Sequence, residues 1–217
     1  IPILCICLNG QFSGSYQTAR NAAAELQEEF PQVPIYVMDS RLATVLEGLL
    51  VEEAVRLRDQ DLTLEQAVAA LEELPQTGRI FFTTDDLEYL RHGGRIGKAA
   101  ATTGALLRVK PLIGYENGEL VTDGIAQGRK KSLIRVRELF FRYVEKERLD
   151  LNQYILATGF GLDQEEHREF ARQVYEGLLE RGYDRPEVKK PYQIGMTIGV
   201  HTGPTPIGVG LLRKAMG

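Results

Sequence analysis

Ile3-Leu4-Cys5-Ile6-Cys7-Leu8 runs straight into Asn9-Gly10-Gln11-Phe12-Ser13-Gly14-Ser15-Tyr16. An apolar run, a polar turn and then Ala19, Ala22, Ala23, Leu26 and Phe30 at helical spacing predict a strand, a tight connection and an amphipathic helix that Pro31 ends. The pattern then repeats. Val33, Ile35 and Val37 alternate as a strand finishing at Met38-Asp39-Ser40, and Leu46, Leu49, Leu50, Ala54 and Leu57 mark a second helix. Thr63-Leu64-Glu65-Gln66 reads as a capping box for a third helix, which carries Ala67, Ala70, Leu71 and Leu74. A β-α-β-α order of this kind implies parallel strands with helices packed on the sheet.

From Arg79 the texture changes. Ile80-Phe81-Phe82 predicts a short strand, and Asp85 to Leu90 a short helix stopped by Gly93-Gly94. Ala99 to Leu107 reads as helical. Val109–Tyr115 and Glu119–Ile125 flank Asn117-Gly118, a two-residue hairpin signal. Lys130–Glu147 and Glu165–Arg181 are expected helices, Tyr154–Thr158 and Ile194–Val200 expected strands, the last running into a loop at His201. The expectation is an α/β chain: a parallel-sheet domain over residues 1–78, then an α+β domain with a mixed sheet over 79–217. The chain opens on Ile1-Pro2 and enters a core-like strand at once, so a preceding segment is expected.

Bulk properties narrow the function. The 217 residues are 43% hydrophobic and 26% charged, an ordinary globular composition. A net charge of −4 argues against nucleic acid or an anionic membrane as the main partner. No apolar run is long enough to span a bilayer and no signal peptide is visible, so a cytoplasmic location is expected. The two cysteines, Cys5 and Cys7, share one face of a strand and read as small hydrophobes. The three histidines stand apart from each other and from the cysteines, so no metal site is expected.

Two segments are candidates for a site. Ser13 falls beside the unpaired N–H groups of a helix N-terminus, where it serves either as an N-cap or as an anion ligand. Gly10 and Gly14 allow close backbone approach there. His201 stands before Thr202, Gly203 and two prolines, in a segment of the kind that carries binding residues. The two segments read as halves of one site for the carboxylate of an apolar ligand. Gly159-Phe160-Gly161 is two-thirds of a dinucleotide fingerprint, better explained as a tight strand-to-helix turn. Arg91 to Lys98 and Arg129-Lys130-Lys131 are basic clusters, and the second opposes the dipole of the helix it opens. Ser13 and His201 also suggest a serine-dependent acyl-ester hydrolase, although Gly10–Gly14 lacks the spacing of a nucleophile elbow.

Phe12-Ser13-Gly14-Ser15-Tyr16-Gln17, Met38-Asp39-Ser40, Asp85-Asp86-Leu87 with Leu90, Gly93-Gly94-Arg95-Ile96, Leu107-Arg108-Val109-Lys110-Pro111-Leu112 and His201-Thr202-Gly203 occur in this order. The set resembles the DegV family of bacterial fatty-acid-binding proteins, which includes the lipid-carrier subunit of fatty acid kinase. The resemblance spans essentially the whole chain. It implies two α/β domains with a long-chain fatty acid such as palmitate between them, no catalysis and no cofactor. It also implies presentation of the lipid to a separate kinase that forms acyl phosphate. By the same resemblance Ser13 and His201 bind the carboxylate, with Gly14, Thr202 and Gly203 as head-group neighbours. Arg91, Arg95, Arg129 and Lys130 would serve partner docking.

Three features depart from the family pattern: Asn9-Gly10 where Ser-Ser is usual, Gln127 where a basic residue is usual, and the family's opening strand and threonine-bearing loop, which are absent. The implied ligand is physically reasonable. About fifteen buried methylenes are worth at most ~12 kcal/mol, whereas an unpaired buried carboxylate costs several. The tail would supply affinity, and polar groups at the head would fix orientation.

Overall fold

In the computed structural model, which describes residues 1–98 and 109–215, the strands divide between two sheets. The smaller is parallel: β1 (Ile3–Cys7) lies beside β2 (Ile35–Asp39), with Ile3 opposite Ile35 and Cys7 opposite Asp39. Helix α1 (Ser15–Glu29) connects them, and no α1 residue is buried. One face of β1 turns Leu4 and Ile6 toward the core. Cys5 and Cys7 remain free thiols with their sulfurs 3.8 Å apart. Burial, foremost, and the adjacent Cys5 hold the Cys7 thiol at about 11, so it stays protonated and unreactive.

Helices α2 (Thr44–Asp59) and α3 (Leu64–Glu72) follow. The capping box forms as the sequence suggests: Gln66 N donates to Thr63 Oγ1 at 3.3 Å and Thr63 N donates to Gln66 Oε1 at 2.9 Å. Leu46, Leu49 and Leu50 of α2 are fully buried, in one apolar cluster with Ile80, Phe82, Ile155 and Leu212 of the larger sheet.

That sheet is mixed, in the order β5-β4-β3-β9-β6-β7, with β8 also on β6. It comprises β3 (Arg79–Thr83), β4 (Val109–Glu116), β5 (Glu119–Gln127), β6 (Tyr154–Phe160), β7 (Glu187–Val188), β8 (Tyr192–Gln193) and β9 (Ile207–Arg213). The β4–β5 turn has Asn117 at φ 50° and Gly118 at φ 83°, the paired left-handed geometry for which Asn-Gly is suited. Helices α5 (Arg129–Lys146) and α6 (Gln164–Glu180) cover the face opposite α2. There Val136, Phe140 and Phe170 pack with Phe81, Leu156 and Val209. The result is three layers, with α4 (Glu88–His92) at the end of the sheet where β3 and β6 finish and β9 begins.

Two segments differ from expectation. The strand expected at Ile194–Val200 is instead helix α7 (Met196–Thr202). Alternation of Met196, Ile198 and Val200 mimics a strand, yet Met196 and Val200 are 89% and 65% exposed. Ile194, Thr197, Ile198 and His201, at helical spacing, face a cavity instead. His201 therefore ends a helix rather than a strand. Secondly, β9, which the Gly- and Pro-rich sequence did not suggest, is a central strand between β3 and β6. Its glycines permit close packing: a Cβ on Gly208 would lie 2.5 Å from the Phe81 carbonyl oxygen. The helix expected at Ala99–Leu107 lies outside the described residues.

Candidate functional site

A cavity of about 260 Å³ lies between the start of α2 and the larger sheet. Ile80 and Phe82 of β3, Gly159 of β6 and Gly208 of β9 form its floor. Ala43, Thr44 and Val45 close one side, and Ile194 with the inward face of α7 another. Leu8, Phe12, Ser13, Leu90 and Arg95 cover it. Thr44 holds φ at 53°, an unusual conformation for a β-branched residue at the wall of a cavity.

The loop that carries Ser13 is held by Asn9, which is 1% exposed. Asn9 Nδ2 donates to Tyr115 Oη at 2.9 Å and to the Gly118 carbonyl at 2.7 Å, while its Oδ1 accepts from Gln11 N at 2.9 Å. The Asn9 carbonyl accepts from Phe12 N and Ser13 N. One buried side chain thus ties the Ser13 turn to the β4–β5 hairpin. Tyr115 donates in turn to the Arg41 carbonyl at 2.8 Å, and Phe12 packs edge-on against its ring. Asp39 Oδ1 accepts from Gly10 N at 3.1 Å and Arg41 N at 2.9 Å, which joins the ends of β1 and β2.

Ser13 precedes α1, whose cap position is Gly14. Its Oγ accepts from Ser15 N at 3.2 Å and donates to Ser15 Oγ at 3.1 Å. His201, on the last turn of α7, lies against Gly93: a Cβ there would fall 2.0 Å from His201 Nδ1. That nitrogen is buried and has no hydrogen-bond partner among the described residues. Arg95 bridges the two sides, donating from Nε to the Phe12 carbonyl at 3.0 Å and from Nη1 to the Gly93 carbonyl. Ser13, Arg95 and His201 therefore line the same cavity, whereas Arg95 was expected only at a docking surface.

Of the expected head-group neighbours, Thr202 lines the cavity, and its carbonyl accepts from Thr84 Oγ1 at 2.8 Å. Gly203, at φ 78°, packs against the Tyr89 ring, and Gly14 has open space around it; neither is among the described lining residues. Arg91 is exposed and pairs with Glu88 on α4. Arg129 forms a two-pronged pair with Glu166, at 2.9 and 2.7 Å, and Lys130 beside it is exposed. Among the described residues no group of three or more His, Cys, Asp or Glu is placed to hold a metal. No described helix is long and apolar enough to cross a membrane.

The DegV family model matches residues 2–214. The chain belongs to the DegV family. A DegV domain-containing protein of Clostridium perfringens is 32% identical over 94% of this chain and 67% of its own length. Among solved structures, a stearic-acid-binding protein from Eubacterium ventriosum is 36% identical with a TM-score of 0.89, over 99% of this chain and 71% of that one. A DegV protein from Thermus thermophilus, described by its fatty-acid binding, is 27% identical with a TM-score of 0.81, over 97% and 70%. The DegV fold thus accounts for the small parallel sheet and the larger mixed one.

The sequence did not reveal Asn9 as an anchor, because the residue stood out only as a departure from a serine. Its position between an apolar strand and a glycine was the available signal. The cavity floor was hidden for a different reason: Gly159 read as a turn residue and no element was expected at Gly208, and only the strand pairing makes them a surface.

Proposed function

We propose that this DegV-family chain binds a long-chain fatty acid, with the tail over the Ile80–Phe82–Gly159–Gly208 floor and the carboxylate among Ser13, Arg95 and His201. The observation that carries the reading is that Ser13, Arg95 and His201 come together at one cavity whose floor, Ile80, Phe82, Gly159 and Gly208, is apolar. The stearic-acid-binding relative supports the ligand class. An acyl tail gains affinity by leaving water, and the head group needs charge-assisted hydrogen bonds to avoid a desolvation penalty. An arginine, a serine hydroxyl and the His201 imidazole, all of residues that line the cavity, meet that need.

The chain acts as a carrier rather than a catalyst in this reading, and it hands the lipid to a separate kinase that makes the acyl phosphate. Arg91, Arg129 and Lys130 lie outside the cavity and are the candidates for docking that partner. Hydrolysis finds less support, because the hydrogen bonds of Ser13 Oγ go to Ser15 and a Ser-His mechanism needs the base on the nucleophile.

Titration of lipid-free protein with palmitate tests the proposal. Ser13→Ala should weaken binding by about 1–3 kcal/mol, the loss expected when a buried charged acceptor loses a donor. Unchanged affinity would remove Ser13 from the head-group site, and release of free acid from an acyl ester by the wild type alone would favour the hydrolase.

A further inference from the structure

We infer that Val45 sets the length of acyl chain the cavity accepts, by standing on bare backbone at the apolar end. The inference rests on the fatty-acid reading above and adds to it the residue that selects among fatty acids.

The strand register makes the surface. On β6 and β9, Gly159 lies directly opposite Gly208, and Ala157 opposite Gly210. On the other side of β9, Phe82 pairs with Gly208 and Ile80 with Gly210. Residues two apart along a strand share a face, so Gly159, Gly208, Gly210 and Ala157 form a strip of sheet almost without side chains beneath α2. Val45 descends onto this strip and is 2% exposed. A Cβ on Gly159 would lie 2.7 Å from Val45 Cγ1, and one on Gly210 would lie 2.8 Å from Val45 Cγ2. Each methyl of Val45 therefore sits over one glycine.

The cavity wall includes Gly159 and Gly208, whereas Gly210 is covered by Val45 and Leu46. Val45 thus separates the open part of the strip from the part already filled. The groups proposed to hold the carboxylate belong to the Ser13 turn, the Gly93–Arg95 turn and the last turn of α7; the other polar lining residues, Thr44, Thr197 and Tyr115, are uncharged hydroxyl side chains. Val45, Gly159 and Ile194 bring no polar side chain, so this is the end suited to a terminal methyl group.

Two substitutions should move the boundary in opposite directions. Val45→Ala deletes both methyls and extends the open strip toward Gly210. Gly159→Ala adds a methyl that meets Val45 Cγ1 at 2.7 Å and Ile194 Cδ1 at 3.4 Å, so it shortens the space. Gly208 is unsuitable for substitution, because its Cβ would strike the Phe81 carbonyl oxygen at 2.5 Å.

The experiment offers lipid-free protein an equimolar mixture of laurate, myristate, palmitate, stearate and arachidate, then quantifies the acids retained by mass spectrometry. Val45→Ala should shift the retained distribution to longer acids than the wild type holds. The gain should be about fourfold for each further methylene seated, the equivalent of ~0.8 kcal/mol per buried CH₂. Gly159→Ala should shift it to shorter acids, and the double variant should return toward the wild type because its 2.7 Å contact is gone. Wild-type protein that retains none of the acids would refute the fatty-acid reading itself. Wild type that retains them while either folded single variant keeps the same length distribution would overturn the role of Val45 alone.

Discussion

Asn9→Ala should uncouple the Ser13 turn from the rest of the site. The side chain donates two hydrogen bonds, at 2.9 and 2.7 Å, and accepts a third. Alanine removes all three. Tyr115 Oη keeps its bond to the Arg41 carbonyl, and the exposed Gln11 N–H can turn to water, but the buried Gly118 carbonyl loses its donor. Two lost buried hydrogen bonds, one of them leaving a stranded acceptor, amount to about 2–4 kcal/mol. For a chain of this size that corresponds to a fall in Tm on the order of 10 °C. Palmitate affinity should fall as well, because Phe12 and Ser13 hang from the Asn9 carbonyl. Asn9→Ser, whose hydroxyl stops one bond short of the amide nitrogen that reaches Tyr115 and Gly118, should behave like alanine. Thermal unfolding of lipid-free protein and palmitate titration give the two readouts. A Tm within about 1 °C of wild type, or a large loss of stability with unchanged affinity, would refute Asn9 as the residue that positions the Ser13 turn.

Two further outcomes follow from contacts within the same region. Gly93→Ala places a methyl 2.0 Å from His201 Nδ1, so the imidazole must move; palmitate binding should weaken without any change to a polar side chain, and wild-type affinity would show that His201 does not act from its present position. Burial raises the Glu47 carboxyl from 4.5 to about 7. The folded state therefore holds that proton more tightly than the unfolded state, and stability should decline as pH rises between these values and then level off. Glu47→Gln should flatten this decline and stabilise the protein above pH 7 by about 1–2 kcal/mol, discounted for partial exposure; identical pH–stability curves for the variant and wild type would contradict it.

The elements legible in the sequence were those with a local physical signature. The Thr63–Gln66 box, the Asn117-Gly118 turn and the apolar face of Val136, Phe140 and Val144 each specify their structure within a few residues, and each forms as expected. Segments 194–200 and 207–213 were harder, because their conformation depends on distant partners. Exposure of Met196 and Val200 converts an apparent alternation into a helix, and β9 uses glycines because neighbouring strands leave no room for a side chain. Ser13 and His201 were singled out from their local settings, and both line the same cavity as Arg95. The floor of Gly159 and Gly208 exists only through cross-strand register, which no local pattern encodes.

The most direct test is to purify the protein under native conditions, extract it with organic solvent and identify the released molecules by mass spectrometry. The account predicts a long-chain fatty acid near one mole per mole of protein, with less in Ser13→Ala prepared alongside. Repeated extracts without fatty acid, together with no uptake of added palmitate, would contradict it.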